Sequence, residues 1–406
     1  MLENAKRWVN PINTSNKAKK IRRSMMAGLT TFAVAVLLFA QIVLSADEAK
    51  MPAQESLYAR SAALIDGDTG RILWGKNENE PMAMASTTKI MTAIVTIENA
   101  DISKKITVSK NATLAPPVKM HLQVGEELTI EQLLYALLMQ SSNDAAVAIA
   151  EGVGGSVENF CKMMNNKAKE LGCTDTEFVT PNGLDKGNHH STAYDMALIG
   201  AYAIKNSEFI RISNTKNISF SSNKKSYSIV NKNQLLNSYN GAIGIKTGFT
   251  GKAGHCFVGA AKRGDITLVS VVLASGWGTA GKARKWSDTV KILNYGFDNY
   301  KKYSIIGDNV DIYVDKAKVN KTTLKYKNSV EILLNENEKN SVTFKNKVPS
   351  IIEAPIYKDS KIGIGEVYID NYKVADIDII ASENVSRHSL GNSFNKIIKD
   401  WIQLIC

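Results

Sequence analysis

Three short stretches, Ser86-Thr-Thr-Lys89, Ser141-Ser-Asn143 and Lys246-Thr-Gly248, carry the residue types needed for acyl transfer at a serine. A serine hydroxyl is a weak nucleophile until a neighbouring group takes its proton. Ser86 and Lys89 are three residues apart, so on a helix their side chains share a face. A lysine desolvated beside other cations can lose its proton and act as the base. Ser141 offers a hydroxyl to relay a proton to a leaving amine, and Asn143 an amide to hold a substrate backbone. Lys246 adds positive charge, which depresses the pKa of Lys89 and attracts a carboxylate that Thr247 can hydrogen-bond. Gly248 lets an extended substrate approach as an added strand. The backbone N–H groups of Ser86 and Phe249 are the expected oxyanion hole.

Taken singly the stretches are weak. Ser-x-x-Lys recurs at Ser213, Ser221, Ser222 and Ser393, and Ser-x-Asn at Ser221, Ser238 and Ser382. Ser86 alone reads as a helix cap, Ser141 to Asn143 as an interhelical turn, and Lys246 to Gly248 as a solvated strand end. Order and context give them weight. Residues 56–75 predict a hairpin at a sheet edge, with the turn-rich joint Asp66 to Gly70 between two apolar stretches. Helical periodicity begins at Ser86 and runs to Asn99. Residues 131–151 predict helix, a polar joint at Ser141 to Asp144, then more helix; residues 157–171 and 191–205 predict two further helices, and Pro181 to Leu184 a turn. Residues 241–263 and 266–273 predict paired strands, the first carrying Lys246, and residues 282–297 a closing helix. The three stretches thus sit on helix, helix and strand.

The net charge of +11 is concentrated at one end: Lys6, Arg7, Lys17, Lys19, Lys20, Arg22 and Arg23 face only Glu3, which is more than half of the total. The rest is mildly basic without an aromatic-interleaved stripe, so no nucleic-acid partner is implied. Residues 1–24 form a basic cytoplasmic leader, and residues 25–46 an uncharged run long enough to span a bilayer, either a cleaved signal peptide or a retained anchor. The body is then extracytoplasmic and membrane-associated. Residues 47–57 are a linker. The four cysteines make no Cys-x-x-Cys pair, and neither a metal nor a cofactor is called for. Cys161 and Cys173 are either bridged or buried free thiols. Beyond Tyr300 short apolar alternations broken by turns predict a small all-β domain over residues 301–388. Residues 389–406 predict an amphipathic helix, with Phe394, Ile397, Ile398, Trp401, Ile402 and Ile405 on one face, set either into a membrane interface or onto its own domain.

With its flanks included, the chain resembles the low-molecular-weight penicillin-binding proteins that are serine-type D-alanyl-D-alanine carboxypeptidases. The resemblance rests on ALIDGDTGRILWGKNENEPMAMASTTKIMTA, LLMQSSNDAAVAIAE, FVTPNGLDKGNHHSTAYDMA and NQLLNSYNGAIGIKTGFTGKAGHCFVGAAKR, spanning about residues 58–300. It implies an α/β (α+β) serine β-lactamase/transpeptidase-like catalytic domain of helices on an antiparallel sheet over residues 58–300. It implies Ser86 as nucleophile, Lys89 as base, Ser141 and Asn143 as the second element and Lys246, Thr247 and Gly248 as the third. Peptidoglycan stem peptide and β-lactams are the implied partners. The family also uses a basic residue to hold the terminal carboxylate, and either Arg284 or Lys285 stands in that stretch. Ser142 and Phe249 depart from the family's frequent Gly or Ala and occasional His. A β-lactamase is the rival enzyme; it needs a carboxylate for deacylation, and Glu177 to Asn182 is one residue too long for Glu-x-x-x-Asn. A catalytically weak penicillin-binding or wall-binding protein is the second rival.

Overall fold

The computed structural model describes residues 51–388, Phe394, Ile398 and residues 401–403. The basic leader, the 25–46 segment and most of the C-terminal amphipathic pattern lie outside them. Five strands form one antiparallel sheet: β1 (Ser61–Asp66), β2 (Ile72–Lys76), β3 (Ala242–Thr250), β4 (Gly254–Arg263) and β5 (Ile266–Leu273), in the order β2-β1-β5-β4-β3. The hairpin expected over residues 56–75 is β1 and β2, and β2 lies at an edge. The other edge is β3, which carries Lys246.

Both faces of the sheet are covered, so its central strands read as continuous apolar runs. Alternation still sorts the side chains. Ala63, Ile65, Val269 and Val271 face a large core shared with the helices of residues 89–213, while Ala62, Leu64, Leu268 and Val272 face Ile292 and Leu293. The helices that matter for the site are α1 (Lys89–Asn99), α2 (Asn143–Gly154), α3 (Val157–Glu170), α4 (Ala193–Ala203) and α5 (Gly278–Asn299). Helix α5 starts four residues ahead of the expected 282, at Gly278, and two other starts differ from expectation for local reasons. Ser86 lies in a tight 3-10 turn, Ala85–Thr88, ahead of α1. Helix α4 begins after Thr192, whose hydroxyl accepts the Asp195 N–H at 3.0 Å and so caps it.

Over residues 301–388 the chain is β-rich, as its alternation predicted, with one 3-10 turn at Glu338–Ser341. A six-stranded sheet runs Val342–Lys347, Lys361–Ile369, Tyr372–Ala381, Lys321–Tyr326, Val310–Asp315 and Ile351–Glu353, closing on a core of Leu324, Val367 and Ile379. Buried Arg71, next to β2, reaches across to Glu338 at 2.7 Å. Cys161, Cys173 and Cys256 are free thiols.

Candidate active site

The Ser86 turn is held by its own neighbours. Thr87 and Thr88 donate through their hydroxyls to the carbonyls of Met84 and Ala85, at 2.6 and 2.9 Å, and Ala85 sits at φ +49°. The Thr88 hydroxyl thus serves the Ala85 carbonyl, while the Met84 carbonyl accepts both the Thr87 hydroxyl and, at 3.3 Å, the Thr87 backbone N–H. The turn leaves Ser86 half-buried and aims its hydroxyl at Lys89, the first residue of α1.

Lys89 is fully buried. Its Nζ lies 2.8 Å from Ser86 Oγ, 2.8 Å from Asn143 Oδ1 and 2.6 Å from the carbonyl oxygen of Asn182. Burial pushes its pKa well below the usual lysine value, and the charges of Lys246 and Lys232 push the same way against the raising effect of Asp144. An amine so placed has two N–H donors for Asn143 and Asn182 and a lone pair for the serine proton.

The second stretch is shaped by an irregular helix end. Residues Ala136–Gln140 form a π-type turn, and Ser141 follows at φ +68°, ψ 34°, a conformation rare outside glycine and asparagine. Ser141 and Ser142 break the helix, and α2 restarts at Asn143. Asn143 Nδ2 donates to the carbonyls of Pro116 and Pro117, at 3.0 and 2.9 Å. Asn143 thus binds the 116–118 loop with its donors and Lys89 with its oxygen. Asp144 adds to the clamp, accepting the N–H groups of Met120 and Leu122.

On β3, Lys246 is buried, donates to the Thr247 carbonyl at 2.9 Å, and has its pKa pushed down to about 7 by burial and by Lys232 and Lys285. Gly248 lies against the serine turn. A Cβ there would stand 3.1 Å from the Ser86 nitrogen and 3.0 Å from the Met84 carbonyl oxygen, so a side chain would drive strand and serine apart. Phe249 pairs with His255, whose own N–H and C=O are spent on Gly276 and Ser275. The N–H and C=O of Phe249 therefore point to the free edge, facing the cleft. Its ring is half-exposed and stacks on His255 with centroids 4.4 Å apart.

The two basic candidates on α5 separate clearly. Lys285 is 5 % exposed, and its charge acts on Lys246 and His255. Arg284 turns away and stacks over Tyr58 at 4.2 Å. Lys285 is the one on the cleft side, with its pKa lowered to about 8, mainly by burial.

Sequence reasoning read residues 181–184 only as a turn, yet this turn supplies the Asn182 carbonyl. It is pinned by Thr92, which donates to the Pro181 carbonyl at 2.6 Å, and by His189, which accepts the Val179 N–H at 3.0 Å and lies 2.9 Å from Thr88 Oγ1. With Nδ1 accepting, Nε2 carries the proton and donates to Thr88. Burial holds the His189 pKa down near 4, so the ring stays neutral.

A sequence model of the family described as D-alanyl-D-alanine carboxypeptidase matches residues 48–276, and one described as penicillin-binding protein 5, C-terminal domain, matches residues 299–387. The chain is similar to the D-alanyl-D-alanine carboxypeptidase DacF of Bacillus subtilis, 32% identical over 385 residues, covering 92% of this chain and 98% of that one. It is also similar to DacC of Escherichia coli, 30% identical over 399 residues, covering 92% and 94%. Among solved structures, penicillin binding protein 5 of Haemophilus influenzae superposes with a TM-score of 0.67 at 28% identity, covering 83% of this chain and all of that one.

Proposed function

The chain belongs to the D-alanyl-D-alanine carboxypeptidase family, and we propose that within it Ser86 is the acylated nucleophile and Lys89 the base. The enzyme is a serine carboxypeptidase that removes the terminal D-Ala of peptidoglycan pentapeptide, and it binds penicillin. The relatives lie with carboxypeptidases, not with the β-lactamase alternative.

The observation that carries the assignment is the buried Lys89 amine, bridging Ser86 Oγ, Asn143 Oδ1 and the Asn182 carbonyl. Neutral Lys89 takes the Ser86 proton as Oγ attacks the penultimate D-Ala carbonyl. The N–H groups of Ser86 and Phe249 receive the oxyanion. Ser141 passes a proton to the amine as the C–N bond breaks and D-Ala leaves. Water then hydrolyses the ester. Thr247, Lys246 and Lys285 receive the terminal carboxylate, Asn143 orients Lys89, and Gly248 admits the substrate backbone along β3. Catalysis is proposed for the 58–300 region, with the β-rich 301–388 region as a separate module.

Intact mass after treatment with penicillin tests this. One adduct is expected, mapping to the peptide that contains Ser86, and it should be long-lived. An adduct on any other residue rejects Ser86 as nucleophile, and rapid turnover to free penicilloate would restore the β-lactamase reading.

The enzyme works on the cell envelope outside the cytoplasm. Among the described residues no helix is long and apolar enough to cross a membrane. Attachment is proposed through residues 25–46, if they are retained as an anchor and not cleaved as a signal peptide, and/or through the C-terminal helix, where Phe394, Ile398, Trp401 and Ile402 are exposed. Ending the chain after residue 388 is expected to lower the membrane-bound share in cell fractions. An unchanged share would remove the C-terminal helix from the proposal.

A further inference from the structure

One charged side chain beside the cleft has no part in this scheme. Lys232 lies between the hairpin of Asn217–Ser221 and Ser226–Val230 and the start of β3. Its backbone N–H donates to the Met139 carbonyl at 3.2 Å, and its Nζ donates to the Gln140 carbonyl at 2.8 Å. It is thereby tied twice to the π-type turn that ends in Ser141. An ammonium has three hydrogens, so one is spent on Gln140 and two remain for an incoming acceptor. The residue is exposed to solvent. Its charge nevertheless acts on both Lys89 and Lys246.

These ties fix which end of the cleft Lys232 serves. In the proposed scheme Ser141 gives a proton to the departing amine and Lys246 draws the carboxylate, so Lys232, tied to the turn that carries Ser141, belongs with them on the leaving-group side. Lys232, Lys246 and Lys285 bring three positive charges toward that region. Clustered like charges repel in the empty cleft, and an arriving anion relieves the repulsion. The departing D-Ala carries such an anion as its free carboxylate.

We propose that Lys232 is a substrate-binding residue on the leaving-group side, where its ammonium receives the C-terminal carboxylate of the departing D-Ala. This rests on the Ser86-centred reading of the site. It makes Lys232 an outer, solvent-reachable partner to the buried Lys246 and Lys285, meeting the carboxylate on entry.

The test compares diacetyl-Lys-D-Ala-D-Ala with the same peptide ending in a carboxamide, using the full chain with its natural sequence, Lys232→Gln and Lys232→Arg. Lys232→Gln should raise KM for the acid about tenfold, the size of one charge-assisted hydrogen bond at a half-open site, and leave the amide within about twofold. Lys232→Arg should stay within about threefold on both, because the cation is kept. Where amide turnover is slow, the two peptides' inhibition of penicillin acylation gives the same ratio. A Lys232→Gln loss equal for acid and amide would overturn the proposal, leaving Lys232 only a prop for the Ser141 turn. No loss on either peptide would overturn it too. Failure of the unsubstituted protein to take penicillin on Ser86 would instead remove the premise, which the adduct experiment reads separately.

Discussion

Lys89→Arg is expected to leave a protein that takes penicillin on the order of a thousandfold more slowly, the usual size of a lost general base. Arginine keeps the positive charge and hydrogen-bond donors that could reach Asn143 Oδ1 and the Asn182 carbonyl. It does not give up its proton at any working pH. The substitution therefore separates a base from a merely cationic prop. Because Lys89 is fully buried, a guanidinium there also brings a permanent charge into the interior, and stability will fall. Lys89→Met supplies the control: it carries no charge, and it removes the Lys89 donor from Asn143 Oδ1 and from the Asn182 carbonyl, which keeps only the long Ser86 hydroxyl contact. Both variants should lose acylation while thermal melts tell their stabilities apart. If Lys89→Arg acylates at more than about a tenth of the normal rate, proton removal by Lys89 is refuted.

The same assignment fixes the pH profile of the unsubstituted enzyme. Lys89 is faced by Lys246, Lys232 and His189, with Asp144 opposing them. Its pKa is lowered, so the active neutral form exists above that lowered value and is lost as pH falls through it. Lys246 and Lys285 work in the opposite sense: each attracts the carboxylate while protonated and loses that attraction as pH rises through about 7 and about 8. A bound carboxylate raises both values. The alkaline limb of kcat/KM should therefore lie below that of kcat, since the first reports free enzyme and the second the complex. Coincident alkaline limbs would contradict this role for Lys246 and Lys285.

The parts of the site visible in the sequence are those that act through side-chain identity at short spacing. Ser86 with Lys89, Ser141 with Asn143, and Lys246 through Gly248 all belong to this kind, and the helix, helix and strand beneath them were visible from apolar periodicity. Asn182 was not, because it contributes a backbone carbonyl, which any residue carries. Only the fold places it by Lys89, through bonds from Thr92 and His189 that span 89 and 10 residues. Lys232 was hidden for another reason. It stands alone between two asparagines, after the hairpin of Asn217–Ser221 and Ser226–Val230, whose inward residues Ile218, Phe220, Tyr227 and Ile229 are diluted by serines. The choice between Arg284 and Lys285 was likewise closed to sequence, since adjacent residues on a helix point about 100° apart and only packing decides which meets the cleft.

Gly183→Ala is the substitution that tests how the turn without side-chain chemistry serves the serine. Gly183 adopts φ +83°, and a Cβ built there would fall 1.9 Å from the Ala85 carbonyl oxygen, 2.5 Å from its carbon and 2.9 Å from Thr88 Oγ1. The first two are backbone atoms, so no rotamer change relieves the overlap. Either the 181–184 turn moves out, taking the Asn182 carbonyl from Lys89, or the Ala85–Thr88 turn moves, taking the Ser86 N–H from its place beside Gly248. A displacement on the order of 1 Å in either direction is enough for roughly a hundredfold loss of acylation. Gly187→Ala, in the same loop, isolates the conformational cost. Its φ is +53°, but its nearest neighbour would be Val179 Cγ1 at 3.9 Å, so it meets strain without collision. That variant should lose about 1 kcal/mol of stability and acylate nearly normally. Equal acylation by Gly183→Ala and Gly187→Ala would mean that the serine and the 181–184 turn are not locked together. An unequal pair, with the deficit in acylation rate at a matched melting temperature, would make close backbone contact between Gly183 and Ala85 the element that holds nucleophile, base and oxyanion donor in register.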